Sequence, residues 1–167
     1  MKSEIKYRGR IIDVTLDEVE LPNGERCTLD VVHHPGGSAI VALDADHRVC
    51  LLRQYRHVAR DWLWELPAGK RDHNENPLAT AKRELKEETG CEAASWEMLG
   101  KIWSSPGVFN EEITLYIAKN LDYSCTGHEM GEVMEVHWFS LQQVREMVHA
   151  HAITDAKTLI GLSFLST

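Results

Sequence analysis

Apolar and polar residues alternate through much of the first half of the chain, the period of half-buried strands. Ile11 to Leu21 and Arg26 to His33 flank the turn signal Pro22-Asn23-Gly24 and predict a β-hairpin. After Pro35-Gly36-Gly37, Ala39 to Leu43 and Val49 to Tyr55 read as two strands joined by the turn Asp44-Ala45-Asp46-His47. A short segment around Trp62 to Leu66 runs into Pro67-Ala68-Gly69, and strands recur at Trp96 to Trp103, Ile113 to Ala118 and Glu135 to Phe139.

Helices are few but clearly bounded. Asn76 is an N-cap residue type, Pro77 suits the first helical position because its missing N–H has no partner there, and Gly90 suits a left-handed C-terminal position. The spacing predicts a helix from Pro77 to Thr89. Ser140 and Gln143 form a candidate capping box before Leu141 to His149, and Thr154 is expected to open a last segment, Asp155 to Leu165. No repeat or linker interrupts the pattern. The expected class is α/β, a mixed sheet sandwiched by helices, with an N-terminal β-hairpin outside the main sheet. Residues 1–167 are expected to form one domain, with about the first 35 as the β extension.

The 167 residues are 43% hydrophobic and 26% charged, enough for a complete core without disulfides or a structural metal. Disordered and fibrous classes are excluded. The longest apolar runs fall far short of the ~18 residues of a membrane span, and the start, MKSEIKYRGR, has no apolar signal core. A cytoplasmic protein that binds no membrane is expected. With 18 Lys+Arg against 26 Asp+Glu the formal charge is -8, and the basic residues are scattered, which argues against a nucleic-acid surface. Cys27, Cys50, Cys91 and Cys125 are widely separated and read as neutral thiols, and the dispersed histidines lack the i,i+4 spacing of a helical zinc site.

The middle helix carries the chemistry. At roughly 100° per residue from Leu78, Ala81 and Leu85 fall near ~300° and ~340°, a single buried stripe. Glu87, Glu84 and Glu88 fall near ~180°, ~240° and ~280°, a carboxylate arc at the edge of that stripe. Glu84 and Glu88 are an i,i+4 like-charge pair, and Glu88 faces the unfavourable end of the helix dipole. A hard divalent cation, Mg²⁺ or Mn²⁺, would turn that repulsion into coordination. Arg83 is placed to hold Glu87.

The segment GKRDHNENPLATAKRELKEETGC, Gly69 to Cys91, resembles the Nudix box at each of its fixed positions: Gly69, Glu75, Arg83, Glu84, Glu87, Glu88 and Gly90. Leu85 and Cys91 occupy its apolar positions, cysteine being a small apolar substitute at the second. The resemblance implies a Nudix-type α/β/α sandwich that cleaves a nucleoside diphosphate linked to another moiety, with Mg²⁺ or Mn²⁺. It implies Glu84, Glu88 and the Ala68 carbonyl as metal ligands, Glu87 as a further catalytic or metal-supporting acid, Arg83 as their orienting partner, and Gly69 as the residue permitting a tight turn. Glu132, in the loop before Glu135 to Phe139, is implied as a ligand or base, with Glu129 second.

Leu51 to Arg56, Trp64 to Gly69, Ser105-Pro106-Gly107 and Glu111 resemble the ADP-ribose pyrophosphatase and nucleoside-diphosphate-sugar branch. That resemblance implies substrate contacts at Arg56, Glu65 and Glu111, and a homodimer that exchanges N-terminal strands. By strand alternation Arg53 lies opposite Arg56 and is expected to pair on the sheet surface. Trp62, Trp64, Trp103 and Phe109 are expected near the cleft, where any of them could stack a base. The activity implied is hydrolysis of ADP-ribose to AMP and ribose 5-phosphate. The alternatives are hydrolysis of other nucleoside diphosphate sugars such as GDP-mannose, or a catalytically silent nucleotide-binding domain, whose usual sign is a degraded box.

Overall fold

The computed structural model describes residues 2–73, 75–123 and 134–165. Its elements are strands β1 (Lys2–Arg8), β2 (Asp13–Glu20), β3 (Arg26–His33), β4 (Gly37–Ala42), β5 (Val49–Arg56), β6 (Asp61–Glu65) and β7 (Ala68–Lys70), helix α1 (Pro77–Thr89), strands β8 (Glu92–Trp103), β9 (Glu112–Asp122) and β10 (Met134–Phe139), and helices α2 (Leu141–His149) and α3 (Ala156–Ser163).

Two sheets make the body. One is four-stranded and mixed, in the order β7-β4-β9-β8, with β4 and β9 parallel; the other is antiparallel, in the order β10-β5-β6. Strands β4 and the first half of β5 are buried on both faces, so their residues sort alternately into two cores. Ile40, Ala42, Cys50 and Leu52 pack with Ala81 and Leu85 of α1. Val41, Leu43, Val49 and Leu51 pack with Val144 of α2 and Leu162 of α3. Helices therefore cover both faces, giving the expected α/β/α sandwich.

The N-terminal β segment is a three-stranded antiparallel sheet, β1-β2-β3, separate from the others. This extends the predicted hairpin by one strand. Every residue of β1 is exposed, so no buried face announced it in the sequence. Backbone bonds tie the sheet to the body where Val32 donates to the Val108 carbonyl (2.8 Å) and accepts from Asn110 N–H (3.0 Å).

Helix α1 has the predicted ends. The Asn76 side chain accepts from Ala79 N–H, and Gly90 is left-handed at φ 71. The Ser140/Gln143 capping box of α2 is complete. At α3 the cap is Asp155 and not Thr154: the Asp155 carboxylate accepts from both the N–H and the hydroxyl of Thr158. Cys27, Cys50 and Cys91 are free thiols, and burial pushes the Cys50 thiol pKa up; Cys125 lies outside the described residues. No helix among the described residues is long and apolar enough to cross a membrane.

Candidate active site

Strand β7 follows the kink at Pro67 and pairs with β4, which sets the Ala68–Gly69 backbone directly against α1. Glu88, only 5% exposed, accepts a hydrogen bond from Ala68 N–H at 2.8 Å. Glu84 lies so close to Gly69 that a Cβ at this position would overlap its carboxylate. Gly69 sits within a strand and has no left-handed φ. Its expected role in a tight turn is therefore corrected: glycine is needed here for the room it leaves to Glu84.

Arg83 organises the rest of α1. Its guanidinium donates to Glu84 (2.7 Å), Glu87 (2.8 Å) and both oxygens of Glu75 (3.2 and 3.1 Å), and also to the Lys70 carbonyl (3.1 Å). Partial burial opposes its charge, but the hydrogen bonds and charges of Glu75, Glu84 and Glu87 outweigh it and raise the Arg83 pKa. The same Arg83 bond holds Glu75 below the usual carboxylate range, helped by Thr80, whose hydroxyl donates to it at 2.9 Å. Glu75 is thus a brace that links the loop before α1 to the carboxylate arc.

The Arg83, Glu84, Glu87 and Glu88 face of α1 opens onto a cleft of about 660 Å³. Arg56, Ala68, Arg83, Glu84, Glu87, Glu88 and Glu111 of the predicted set all border it. Glu65 does not. It is 2% exposed and lies behind the wall, gripped bidentately by Arg56 at 2.7 and 2.8 Å and bonded to Lys157 Nζ at 2.5 Å. Burial opposes its ionisation, yet Arg56 and Lys157 together lower its pKa. Lys157 also donates to Asp155 at 3.0 Å and reaches the cleft. Sequence reasoning missed Lys157, because a single lysine in an otherwise apolar helix carries no motif.

Glu111 borders the cleft 3.4 Å from His34 Nδ1, and the His34 ring packs against Phe109. Burial lowers the His34 pKa more than the Glu111 charge raises it. Arg53 lies on the opposite face of β5, as expected, near Glu135 (3.8 Å) and over the rings of Trp62 and Trp64. That placement removes Trp62 and Trp64 from the cleft; of the aromatic residues predicted there, Trp103 alone lines it among the described residues. Glu129 and Glu132 lie outside the described residues.

No group of three or more His, Cys, Asp or Glu side chains poised around a common point occurs among the described residues. Glu84 and Glu88 nevertheless fit a hard divalent cation in kind. They are carboxylates on adjacent turns, converging on the Ala68–Gly69 backbone, so the donors they present are oxygen, as such a cation prefers.

Residues 33–160 match the NUDIX domain family. The chain is 35% identical to the methanol dehydrogenase activator of Bacillus methanolicus, over 99% of this chain and 90% of that protein. It is 32% identical to the ADP-ribose pyrophosphatase of Bacillus subtilis (strain 168), over 95% of this chain and 87% of that one. Its fold matches a crystal structure of an ADP compounds hydrolase with a TM-score of 0.84 at 21% identity, covering 99% of this chain and 90% of the other. With the box residues assembled on α1 and β7 and the family match spanning most of its length, the chain belongs to the Nudix family.

Proposed function

We propose that this protein is a Nudix pyrophosphohydrolase that cleaves ADP-ribose to AMP and ribose 5-phosphate. The observation that carries the reading is the convergence of Glu84 and Glu88 on Ala68–Gly69 in a cleft that Arg56 and Lys157 also line. Relatives of matching length include an ADP-ribose pyrophosphatase, which supports this substrate over a merely structural use of the acidic helix.

The family depends on a divalent cation; in this chain we assign it as Mg²⁺ or Mn²⁺, held by Glu84, Glu88, the Ala68 carbonyl and Glu132. When bound, such an ion supplies positive charge to the phosphoryl oxygens and acidifies water. Arg83 keeps Glu84 and Glu87 oriented toward the cleft. Arg56, pre-aligned by Glu65, presents a planar guanidinium to the diphosphate, and Lys157 adds a second cation from the same carboxylate. Glu65 therefore contributes by aiming two cations and makes no direct contact with substrate. Water adds to one phosphorus, the bridging P–O bond breaks, and the proton of the water passes to a carboxylate, for which Glu132 is our assignment. Glu111 contacts substrate from the β9 side. The chain acts as one catalytic domain, with about residues 1–35 as an extension that joins two copies into a homodimer.

The test is turnover with product identification over ADP-ribose, GDP-mannose, ADP-glucose, FAD and a dinucleoside polyphosphate, with Mg²⁺, with Mn²⁺ and with a chelator. AMP and ribose 5-phosphate are expected from ADP-ribose, only with metal. Preference for GDP-mannose would move the assignment to another nucleoside diphosphate sugar. Tight ADP-ribose binding without AMP release in either metal would overturn the enzyme reading.

A further inference from the structure

Nine polar or charged side chains among the described residues are buried, and seven of them have a hydrogen-bond partner. Among the described residues, Gln54 and Thr114 have none. A carboxamide carries two donor hydrogens and an acceptor oxygen, so leaving it buried and unbonded costs more than leaving one hydroxyl in that state. Gln54, 5% exposed, borders the cleft, and Thr114 does not. The unmet hydrogen-bonding capacity of Gln54 therefore opens on the cleft, and a buried amide without a partner calls for a ligand-side explanation.

Gln54 sits in the middle strand of the β10-β5-β6 sheet, paired with Met134 on one side and Leu63 on the other, so its backbone belongs to the ladder. Only the side chain is left to act. Alternation along β5 puts it on the face of Leu52, which packs in one core with Ala81 and Leu85 of α1, and of Arg56, which borders the cleft. Gln54 thus stands where that core opens into the cleft, roughly 7 Å along the strand from Arg56. The α1 side of the cleft supplies Glu84, Glu87 and Glu88, which accept hydrogen bonds, and Arg56 supplies a cation. A carboxamide adds what these lack: a neutral donor, which does not repel a phosphate as a further carboxylate would.

We propose that the Gln54 carboxamide donates a hydrogen bond from Nε2 to a non-bridging phosphoryl oxygen of the bound diphosphate, beside Arg56. The assignment rests on the reading of the cleft as a nucleoside diphosphate site. Those oxygens carry the charge of the phosphoryl-transfer transition state, so a donor already aimed at them acts on rate as well as on affinity. The cost of keeping the amide unbonded in the free protein is offset when the diphosphate binds.

Gln54→Met keeps the length of the side chain and removes the amide, which separates a ligand-facing group from a structural one. In the full chain without ligand its urea midpoint should be no lower than that of wild type, because no bond made in the free protein is lost. Calorimetric binding of α,β-methylene ADP-ribose, which cannot be cleaved between its phosphorus atoms, should weaken roughly tenfold in the presence of Mg²⁺, and kcat/KM for ADP-ribose should fall about 100-fold. Gln54→Glu, of nearly the same shape but without the donor when ionised, should bind the analogue more weakly still at about pH 8. Thr114→Val, which removes the other unpartnered group, should change neither affinity nor rate. Unchanged affinity in Gln54→Met would overturn the proposal. So would a loss of affinity accompanied by a lower urea midpoint or by failure to fold, which would make the amide a structural group. If the wild type binds the analogue through Gln54 but releases no AMP from ADP-ribose, the catalytic reading fails and the diphosphate contact stands. If it cleaves ADP-ribose and Gln54→Met binds and turns over like wild type, the contact fails alone.

Discussion

Arg83 and Glu65 are the hubs of two charge networks with inverse composition. Around Arg83, a single guanidinium serves four carboxylates, hydrogen-bonding Glu75, Glu84 and Glu87 and lying 3.9 Å from Asp72, and more than a quarter of its side chain is exposed. Around Glu65, a single carboxylate serves two cations, Arg56 and Lys157, and only 3% of its side chain is exposed. The first network leaves surplus negative charge at the cleft, where a cation can be recruited. The second holds two cations at fixed positions, with Asp155 taking part of the Lys157 charge. The difference in exposure lies at the hubs: Arg83 can adjust in solvent, whereas the Glu65 carboxylate is sealed, although its partner Arg56 is 39% exposed at the cleft.

That contrast can be broken from either side. Glu65→Gln should have the largest effect on stability, about 2–3 kcal/mol by urea unfolding, because it removes the buried counter-charge of Arg56 and Lys157, a loss tempered by the solvent exposure of Arg56 and the remaining Asp155 partner of Lys157. If the loss is below about 1 kcal/mol, Glu65 is not the sealed hub described. Gly69→Ala should cost less in stability, about 1–3 kcal/mol, because the Glu84 carboxylate can turn away from the new methyl group. Its damage should fall on divalent-cation affinity, read by titration in the absence of substrate. The smallest effect separates the networks by acid. Glu65 and Glu75 both have lowered folded pKa values, so the stability they add is fully present above the ordinary glutamate range near ~4.3 and is lost as pH falls through the folded values. In Glu65→Gln the acid limb of the stability curve should be shallower than in wild type. An unchanged limb would assign the acid sensitivity elsewhere.

Much of the Arg83 network was legible in the sequence, because it lies within one helix and its approach loop, where spacing translates directly into geometry. The cap at Asn76, Pro77, Gly90 and the arc of Glu84, Glu87 and Glu88 all follow from helical periodicity. The Glu65 network was not legible. It joins β5, β6 and α3, and Lys157 lies 92 positions from Glu65 in the chain, a relation that no local pattern encodes. Strand β7 was hidden for another reason: its three residues, Ala68, Gly69 and Lys70, have poor strand propensity and pair only because β4 offers an edge. The reason for Gly69 was also invisible, since a glycine required by a neighbouring carboxylate looks in sequence like a glycine required by a turn. Trp62 and Trp64 were misplaced because alternation shows which residues share a face but not which face meets the cleft.

The parallel pairing of β4 with β9 has a kinetic consequence. Hairpins such as β2–β3 and β8–β9 can close locally, but Gly37 meets Ile113 only after the long intervening chain has been brought around. The row from Lys70 through Gly37 and Ile113 to Ile102 runs through that pairing, so closing it costs more chain entropy than closing either hairpin, and it is expected to form after them. A chain that has formed its helices and hairpins, and has most of its circular-dichroism signal, still lacks a continuous cleft. Recovery of ligand binding on refolding therefore reports closure of the sheet, a later event than the formation of its parts.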